Sequence, residues 1–154
     1  MIGRNTHFTL AVHILTVLAL YEMTQAGPAP SAKLAESVDT NPAFLRQQIG
    51  RLKQAGFVTT KLGMGGGTVL AQKPDTITLL DIYRSTEGQT TLHSHHIREG
   101  STCPVGSNIG SFFDTLAQEL DSAIATQLTD ITIQDVATEL FQKSQQSSEL
   151  VSST

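Results

Sequence analysis

The chain has 154 residues, of which 39% are hydrophobic and 16% are charged, with a formal net charge of −4. These values are typical of one globular domain, or one domain with an extended element. Residues 1–21 have apolar content but contain His7, His13 and Thr16 and lack a small-residue cleavage site, so we interpret them as a helix and not as a signal peptide. No apolar run reaches the ~18 residues of a membrane-spanning helix, so no membrane partner is expected. The single cysteine excludes an intramolecular disulfide and predicts a cytoplasmic location.

The net charge conceals two halves of opposite sign. Residues 1–73 contain seven basic and three acidic side chains, a net charge of +4. Residues 74–154 contain three basic and eleven acidic side chains, a net charge of −8. Contact with nucleic-acid phosphates requires only a local basic surface. The first half is therefore the candidate DNA-binding part, and the acidic half is expected to face away from DNA.

The chain begins with a predicted amphipathic helix from about Phe8 to Thr24, followed by a loop over residues 27–30. Its apolar face consists of Phe8, Ala11, Val12, Leu15, Leu18 and Ala19. Ser31 is in position to cap a short second helix. The inward residues of that second helix are Leu34, Ala35 and Val38.

A third helix and a hairpin follow. Asn41 is predicted to cap the third helix, Pro42 to take its first position, and Gly56 to mark its end. Its buried stripe is predicted to be Phe44 or Leu45, then Ile49 and Leu52. Strands over residues 58–62 and 68–71, joined by glycine-rich residues 63–67, predict a β-hairpin. Helix, turn, helix and wing in this order are the layout of a winged helix-turn-helix DNA-binding domain.

The polar face of the third helix carries side chains that can read DNA. Arginine binds guanine O6/N7 or phosphate and glutamine can read adenine, so Arg46 and Gln47 are the candidate base readers. Arg51 and Lys61 are candidate phosphate anchors. An ordinary amphipathic helix with a solvated basic face is the alternative. The complete set of candidate DNA-binding residues is Ser31, Asn41, Ala43, Phe44, Arg46, Gln47, Arg51, Lys61, Gly63, Met64, Gly65 and Gly66.

The glycines over residues 63–67 superficially resemble a nucleotide-binding loop. Such a loop continues into Gly-Lys-Ser/Thr and a helix, whereas this one continues into the strand-like residues 68–70. A wing tip whose backbone closely approaches DNA is the better interpretation, and a plain flexible turn is the alternative.

After a break at residues 73–75, Thr78 is predicted to cap a short helix over residues 79–87. Leu80, Ile82 and Tyr83 of this helix are expected to pack on the base of the wing. We divide the chain into a DNA-binding domain (1–88), a sensor loop (89–104), a dimerisation helix with a final short helix (105–141), and a disordered tail (142–154).

From Gly106, apolar residues spaced by three and four predict a long helix. They are Ile109, Phe112, Phe113, Leu116, Leu120, Ile124 and Leu128. An exposed apolar stripe of this length requires a partner, and we expect a homodimer; packing on the first helix is the alternative. Thr132 and Asp135 indicate a capped final helix, Ile133 to Phe141. The predicted fold is mainly α with a small β-hairpin wing: a winged helix-turn-helix plus a long C-terminal dimerisation helix.

Cys103 precedes the long helix, where the positive end of the helix dipole would lower the thiol pKa. We interpret it as a candidate sensor of an oxidant or small-molecule signal, the alternative being an inert small hydrophobe. His93, His95, His96 and Cys103 could ligate a metal, but their spacing matches no compact zinc motif. No metal, cofactor or catalytic residue is therefore predicted, and a cysteine–histidine enzyme lacks an orienting third group.

Four segments together resemble the Rrf-two family of bacterial winged-helix repressors. They are FTLAVHILTVLA at 8–19, KLAESVDTNPAFLRQQIGRLKQAGFV at 33–58, GMGGGTVLA at 63–71 and ITLLDIYRSTEG at 77–88, followed by a cysteine before a long helix. The resemblance implies a homodimer joined through the long helix. It also implies recognition helices in successive major grooves and wings in the minor groove.

The chain also departs from the family pattern. Cluster-binding members place three cysteines ahead of the long helix, whereas this chain has only Cys103, as in the cluster-less branch. A thiol-based or small-molecule signal is therefore expected in place of an iron–sulfur cluster. Leu62, Gly63 and Met64 replace the family's Arg and Gly-Pro, and Arg46 replaces an acidic reader, so the target sequence does not transfer. The alternative function is a metal- or small-molecule-binding sensor that acts through protein partners without DNA.

Overall fold

The computed structural model describes residues 6–87 and 102–152. Its elements are α1 (Thr6–Met23), α2 (Ser31–Ser37), α3 (Pro42–Gln54), β1 (Val58–Lys61), β2 (Gly67–Leu70), a 3-10 turn (Pro74–Thr76), α4 (Leu79–Thr86), α5 (Ile109–Leu128) and α6 (Ile133–Ser152). A mainly helical chain with one antiparallel hairpin confirms the predicted fold class. None of the helices in the described ranges is long and apolar enough to cross a membrane.

Helix α1 lies at the centre of the hydrophobic core. Ile14 and Leu15 are fully buried, and the helix contacts α2, α3, α4, β2 and α6. The predicted inward face of α1 is buried at Ala11, Leu15 and Leu18 and half-buried at Phe8 and Val12. The core is completed by fully buried residues from the other elements, namely Leu34, Leu45, Ile77, Ile82 and Ile133.

The helix-turn-helix is fixed by one predicted cap and one that differs. The side chain of Asn41 accepts a hydrogen bond of 2.8 Å from the Phe44 N–H, and Pro42 is the first residue of α3, as predicted. The prediction that Ser31 caps α2 is wrong. Pro30 is the N-cap, and Ser31 is already helical. Proline suits this place because its ring fixes φ, here −62°, at the extended value that an N-cap needs.

The hairpin pairs Val58 with Leu70 at its base and Lys61 with Gly67 near its tip. It is also tied to the loop before α2. The Ala29 N–H donates to the Thr68 carbonyl and the Thr68 N–H donates back to the Ala29 carbonyl, each at 2.9 Å. Both residues are buried, so this pair of hydrogen bonds attaches the wing firmly to the helical core.

Helices α4 and α6 begin side by side. Thr78 pairs with Thr132 in a short bridge, and each threonine starts a reciprocal cap with an aspartate three residues later, Asp81 and Asp135. This bridge directs α4 along α1. There the Tyr83 ring packs edge-on against the Phe8 ring, with 5.6 Å between the ring centres. The expected packing of α4 on the base of the wing is therefore corrected.

Helix α6 is longer than predicted. It continues past Phe141 to Ser152, so the expected disorder over residues 142–152 is corrected. The segment contains no glycine or proline to end the helix, and Lys143 forms an ion pair with Glu139 one turn earlier. The first turns of α6 pack on α1, where Ile133 and Ala137 are fully buried.

Helix α5 contacts α4, and none of its residues is buried within the chain. Phe112 is 60% exposed and Leu120 is 40% exposed. The helix begins at Ile109 and not at Gly106, because residues 104–108 form a turn that ends at the N-cap Asn108. The long apolar stripe that the sequence predicts is therefore present and only partly covered by this chain: Phe112 and Leu120 are exposed, and its other residues are half-buried.

Candidate nucleic-acid interface

The candidate base readers lie on the outer face of α3. Leu45, Ile49 and Leu52 are buried against the core, and this fixes the helix so that Arg46 and Gln47 are exposed. Gly50, on the same outer face, is exposed with open space around it. The outer surface of α3 therefore presents hydrogen-bond donors, and Gly50 adds no side chain beside them.

No acidic side chain in residues 6–87 and 102–152 forms an ion pair with the basic side chains of α3 and β1. In the part of the chain that the structure describes, the ion pairs are Lys33–Glu36 and Lys143–Glu139. Arg46, Arg51 and Lys61 are exposed and belong to neither pair. Their charge is therefore available for phosphate contacts.

Of the candidate residues at the start of α3, some stabilise the helix and others are exposed. Asn41 uses its side-chain oxygen for the cap, and Phe44 is half-buried with its ring centre 6.1 Å from that of His7. Ala43 is exposed between them. Ser31 is exposed at the start of α2, two residues after the Ala29 anchor of the wing.

The wing tip is a tight turn with two apolar side chains facing outwards. Leu62 is 93% exposed and Met64 is fully exposed, while Gly63 and Gly65 have φ values of +93° and +73°. A Cβ atom at Gly66 would lie 2.3 Å from the Lys61 carbonyl oxygen, so only glycine fits there. Leu62 is not among the residues predicted for the interface, although its position between Lys61 and the glycines was a usable signal.

The recognition helix and the wing form one connected unit. The Phe57 N–H donates to the Leu52 carbonyl at 3.0 Å, which joins the end of α3 directly to β1. Phe57 and Val58 are buried in the same core as Leu52. The distance between the base-reading face and the wing is therefore set by core packing.

Cys103 is exposed in the turn before α5. Hydrogen bonds from the backbone N–H groups of Gly106 and Val105 lower the pKa of its thiol. Helix α5 begins only at Ile109, so these two local donors replace the helix dipole that the sequence analysis invoked. His93, His95 and His96 lie outside the described residues, as does most of the predicted sensor loop.

The comparisons with known proteins agree on one family. The family model named Rrf2, described as iron-dependent transcriptional regulator, matches residues 4–139. YwnA of Bacillus subtilis (strain 168), which carries the name of an HTH-type transcriptional regulator, is 32% identical over 137 residues, covering 89% of this chain and 98% of YwnA. The HTH-type transcriptional regulator IscR of Aliivibrio salmonicida (strain LFI1238) is 30% identical over 123 residues, covering 80% of this chain and 70% of IscR.

A solved structure gives the same result. That of CymR, the global cysteine regulator of B. subtilis, has a TM-score of 0.63 and 25% identity, covering 90% of this chain and 98% of CymR. The iron in the family description does not fit the donors described here. The chain has one cysteine, and within residues 6–87 and 102–152 no three His, Cys, Asp or Glu side chains converge on a metal position. The chain belongs to the Rrf2 family, the Rrf-two family that its motifs resemble, and is a helix-turn-helix transcriptional regulator that binds DNA.

Proposed function

We propose that the protein is a homodimeric repressor whose operator affinity is controlled at Cys103. One observation supports operator binding: α3 and β1 are joined through the core, and their basic side chains are exposed and form no ion pair with the described acids. In this proposal Arg46 and Gln47 contact base edges in the major groove, and Arg51 and Lys61 contact phosphates. The wing tip, with Gly63, Met64, Gly65 and Gly66, lies against the adjacent backbone.

The homodimer is supported by the incompletely covered apolar stripe of α5. Ile109, Phe113, Leu116, Leu120 and Ile124 recur at helical spacing on one face. Leu120 is exposed, and the other four are only half-buried within the chain. Burying such a stripe against its copy removes apolar surface from water in both subunits. A two-fold dimer would then present two α3 helices to half-sites one helical turn apart.

Replacing Arg46 with Ala should weaken binding to a selected operator by about 1–3 kcal/mol and relax base choice at one position in each half-site. Lys61→Ala should weaken binding to all duplexes similarly and reduce the salt slope by roughly one. Lys33→Ala is the matched control, because Lys33 is already paired with Glu36 on α2. Operators are first selected from random duplexes, and dissociation constants are then measured at several salt concentrations.

If Arg46→Ala and Lys61→Ala had the same effect on selected and random DNA, α3 would not read sequence. If the wild-type protein bound no duplex in a salt-dependent way, the alternative of a sensor that acts through protein partners would gain support.

Control at Cys103 is supported by its exposure and by the two N–H groups that stabilise its thiolate. Hydrogen peroxide is the oxidant we propose. The thiolate sulfur attacks one peroxide oxygen, the O–O bond breaks, and a cysteine sulfenic acid and hydroxide form. The chain has no second cysteine, so the sulfenic acid persists or is capped by a small thiol or the partner subunit. The added group lies in the turn that leads into α5 and would shift the dimer helices.

Mild peroxide treatment should lower operator affinity of the wild type, and Cys103→Ser should bind operator without responding to peroxide. Alkylation rates measured against pH should give a thiol pKa below its ordinary value, because Gly106 and Val105 stabilise the thiolate. If the serine variant lost affinity in peroxide as the parent does, Cys103 would not be the sensor. A reducing cytoplasm is the compartment in which such a thiol is reset.

A further inference from the structure

Gln48 is a buried polar side chain with an unused donor. It occupies the core-facing stripe of α3, between Leu45 and Leu52, and is 4% exposed. Its Oε1 lies 3.3 Å from His7 Nδ1, but its Nε2 has no hydrogen-bond partner in the described part of the molecule. A buried donor without an acceptor destabilises the folded protein, so its retention calls for a physical explanation.

Gln48 is one of the residues that line a cleft of about 410 Å³ between α1, α3 and α4, which we name the Gln48 cleft. It is lined by His7, Ala11, Gln48, Arg51, Leu52, Gln54, Ala55, Ser85 and Thr86. Three of the lining residues are apolar (Ala11, Leu52 and Ala55), one is the cation Arg51, and none of them is acidic. Arg51 has no ion-pair partner among the described residues.

We propose that the Gln48 cleft binds a small organic anion, with its anionic oxygens on Gln48 Nε2 and the Arg51 guanidinium and its apolar body on Ala11, Leu52 and Ala55. Ser85 and Thr86 donate their hydroxyl hydrogens to the Ile82 carbonyl, so on this side their oxygens remain as acceptors for a polar substituent. Nε2 is sealed from solvent and the His7 ring beside the amide is half-buried. The proposed contact to Nε2 therefore requires the His7 ring to move aside when the ligand enters.

The cleft includes residues of α3, the helix that we propose reads DNA. The effect of the ligand on DNA binding therefore rests on the proposed function. Arg51 is the residue that we assign to a phosphate, and an anion bound to its guanidinium competes with that contact. Ligand binding would then weaken the protein–DNA complex through shared use of one side chain, without any change in the dimer helices. This signal is separate from the chemistry proposed for Cys103, which lies in the turn before α5.

The test uses phenylacetate as the probe and the full chain without DNA, so its outcome does not depend on operator binding. Phenylacetamide is the matched neutral probe. Phenylacetate should raise Tm by about 3–6 °C at roughly ten times its dissociation constant, and phenylacetamide should raise it much less. Arg51→Ala should weaken phenylacetate binding about tenfold, whereas Lys53→Ala, an exposed basic residue of α3 outside the cleft, should leave it unchanged.

Gln48→Met separates a ligand site from a structural role, because methionine keeps the shape of glutamine and removes the unused donor together with the Oε1 contact to His7. In the ligand site that we propose, the ligand-free variant is at least as stable as the parent and binds phenylacetate more weakly. A variant with a lower Tm and unchanged phenylacetate affinity would overturn the proposal, as would equal Tm shifts from the two probes. In a second step, phenylacetate should lower duplex affinity of the wild type and not of Arg51→Ala; equal competition in both would refute the shared use of Arg51.

Discussion

Replacing Leu120 with Asp should convert the proposed dimer into a monomer and lower operator affinity by roughly 10²–10⁴-fold, the advantage that a second linked binding module provides. Leu120 lies on the uncovered face of α5 and is 40% exposed within the chain, so the substitution should leave the fold of each subunit intact. In the dimer the same position would bury an unpaired carboxylate in both subunits, which costs several kcal/mol. Sedimentation at micromolar concentration measures the change of state, and circular dichroism checks that helix content is kept.

Gln118→Asp is the matched control, because Gln118 is exposed on the opposite face of α5 and introduces the same carboxylate. It should remain dimeric and bind operator as the parent does. If Leu120→Asp and Gln118→Asp sedimented alike, α5 would not be the dimer contact. A wild-type protein that is monomeric at micromolar concentration would contradict the homodimer itself.

The elements with local signals were predictable from the sequence. Asn41 followed by Pro42 fixes the start of α3, and the apolar spacing after it identifies the face that is buried. The glycines over residues 63–67 identify the hairpin, because positive φ values at its tip favour glycine. The exposed candidates of the interface follow from these two elements, since the buried stripe determines which side chains remain outside.

Features that depend on contacts distant in the chain were not predictable. The place of α4 beside α1 follows from the bridge between Thr78 and Thr132, which are far apart in sequence. The N-cap at Pro30 comes directly after Ala29, whose hydrogen bonds to Thr68 of the wing join residues that are far apart in sequence. The thiolate of Cys103 is stabilised by backbone N–H groups, which every residue type except proline has. The residue types in the turn therefore did not indicate these partners.

The sequence shows Gln48 as a polar residue within the apolar stripe of α3. It does not show that one atom of its amide is unpaired. A buried glutamine is ordinarily satisfied by a neighbour, and only the structure shows that one of its two polar atoms is unpaired. The residues that complete its cleft come from α1 and α4, which sequence spacing does not bring together.

Replacing Gly67 with Ala should destabilise the protein by about 1–3 kcal/mol and misplace the wing. A Cβ atom at Gly67 would lie 2.4 Å from the Ala29 carbonyl oxygen, the acceptor of the Thr68 N–H. The clash is with backbone, so no side-chain rotation relieves it. The two hydrogen bonds between Ala29 and Thr68 must therefore break. Thr68 is 2% exposed, so its N–H would then be left buried without a partner.

Urea unfolding measures the loss, and binding to a selected operator measures the position of the wing. Gly50→Ala is the matched control for stability. Gly50 is helical with nothing within 4 Å of an added Cβ, and alanine should stabilise α3 by about 0.5–1 kcal/mol. Lys61, paired with Gly67 across the hairpin, should lose its phosphate contact in Gly67→Ala, so Lys61→Ala should add little further loss of affinity in that background. Full additivity of the two changes would show that the Ala29–Thr68 attachment does not position Lys61 for DNA.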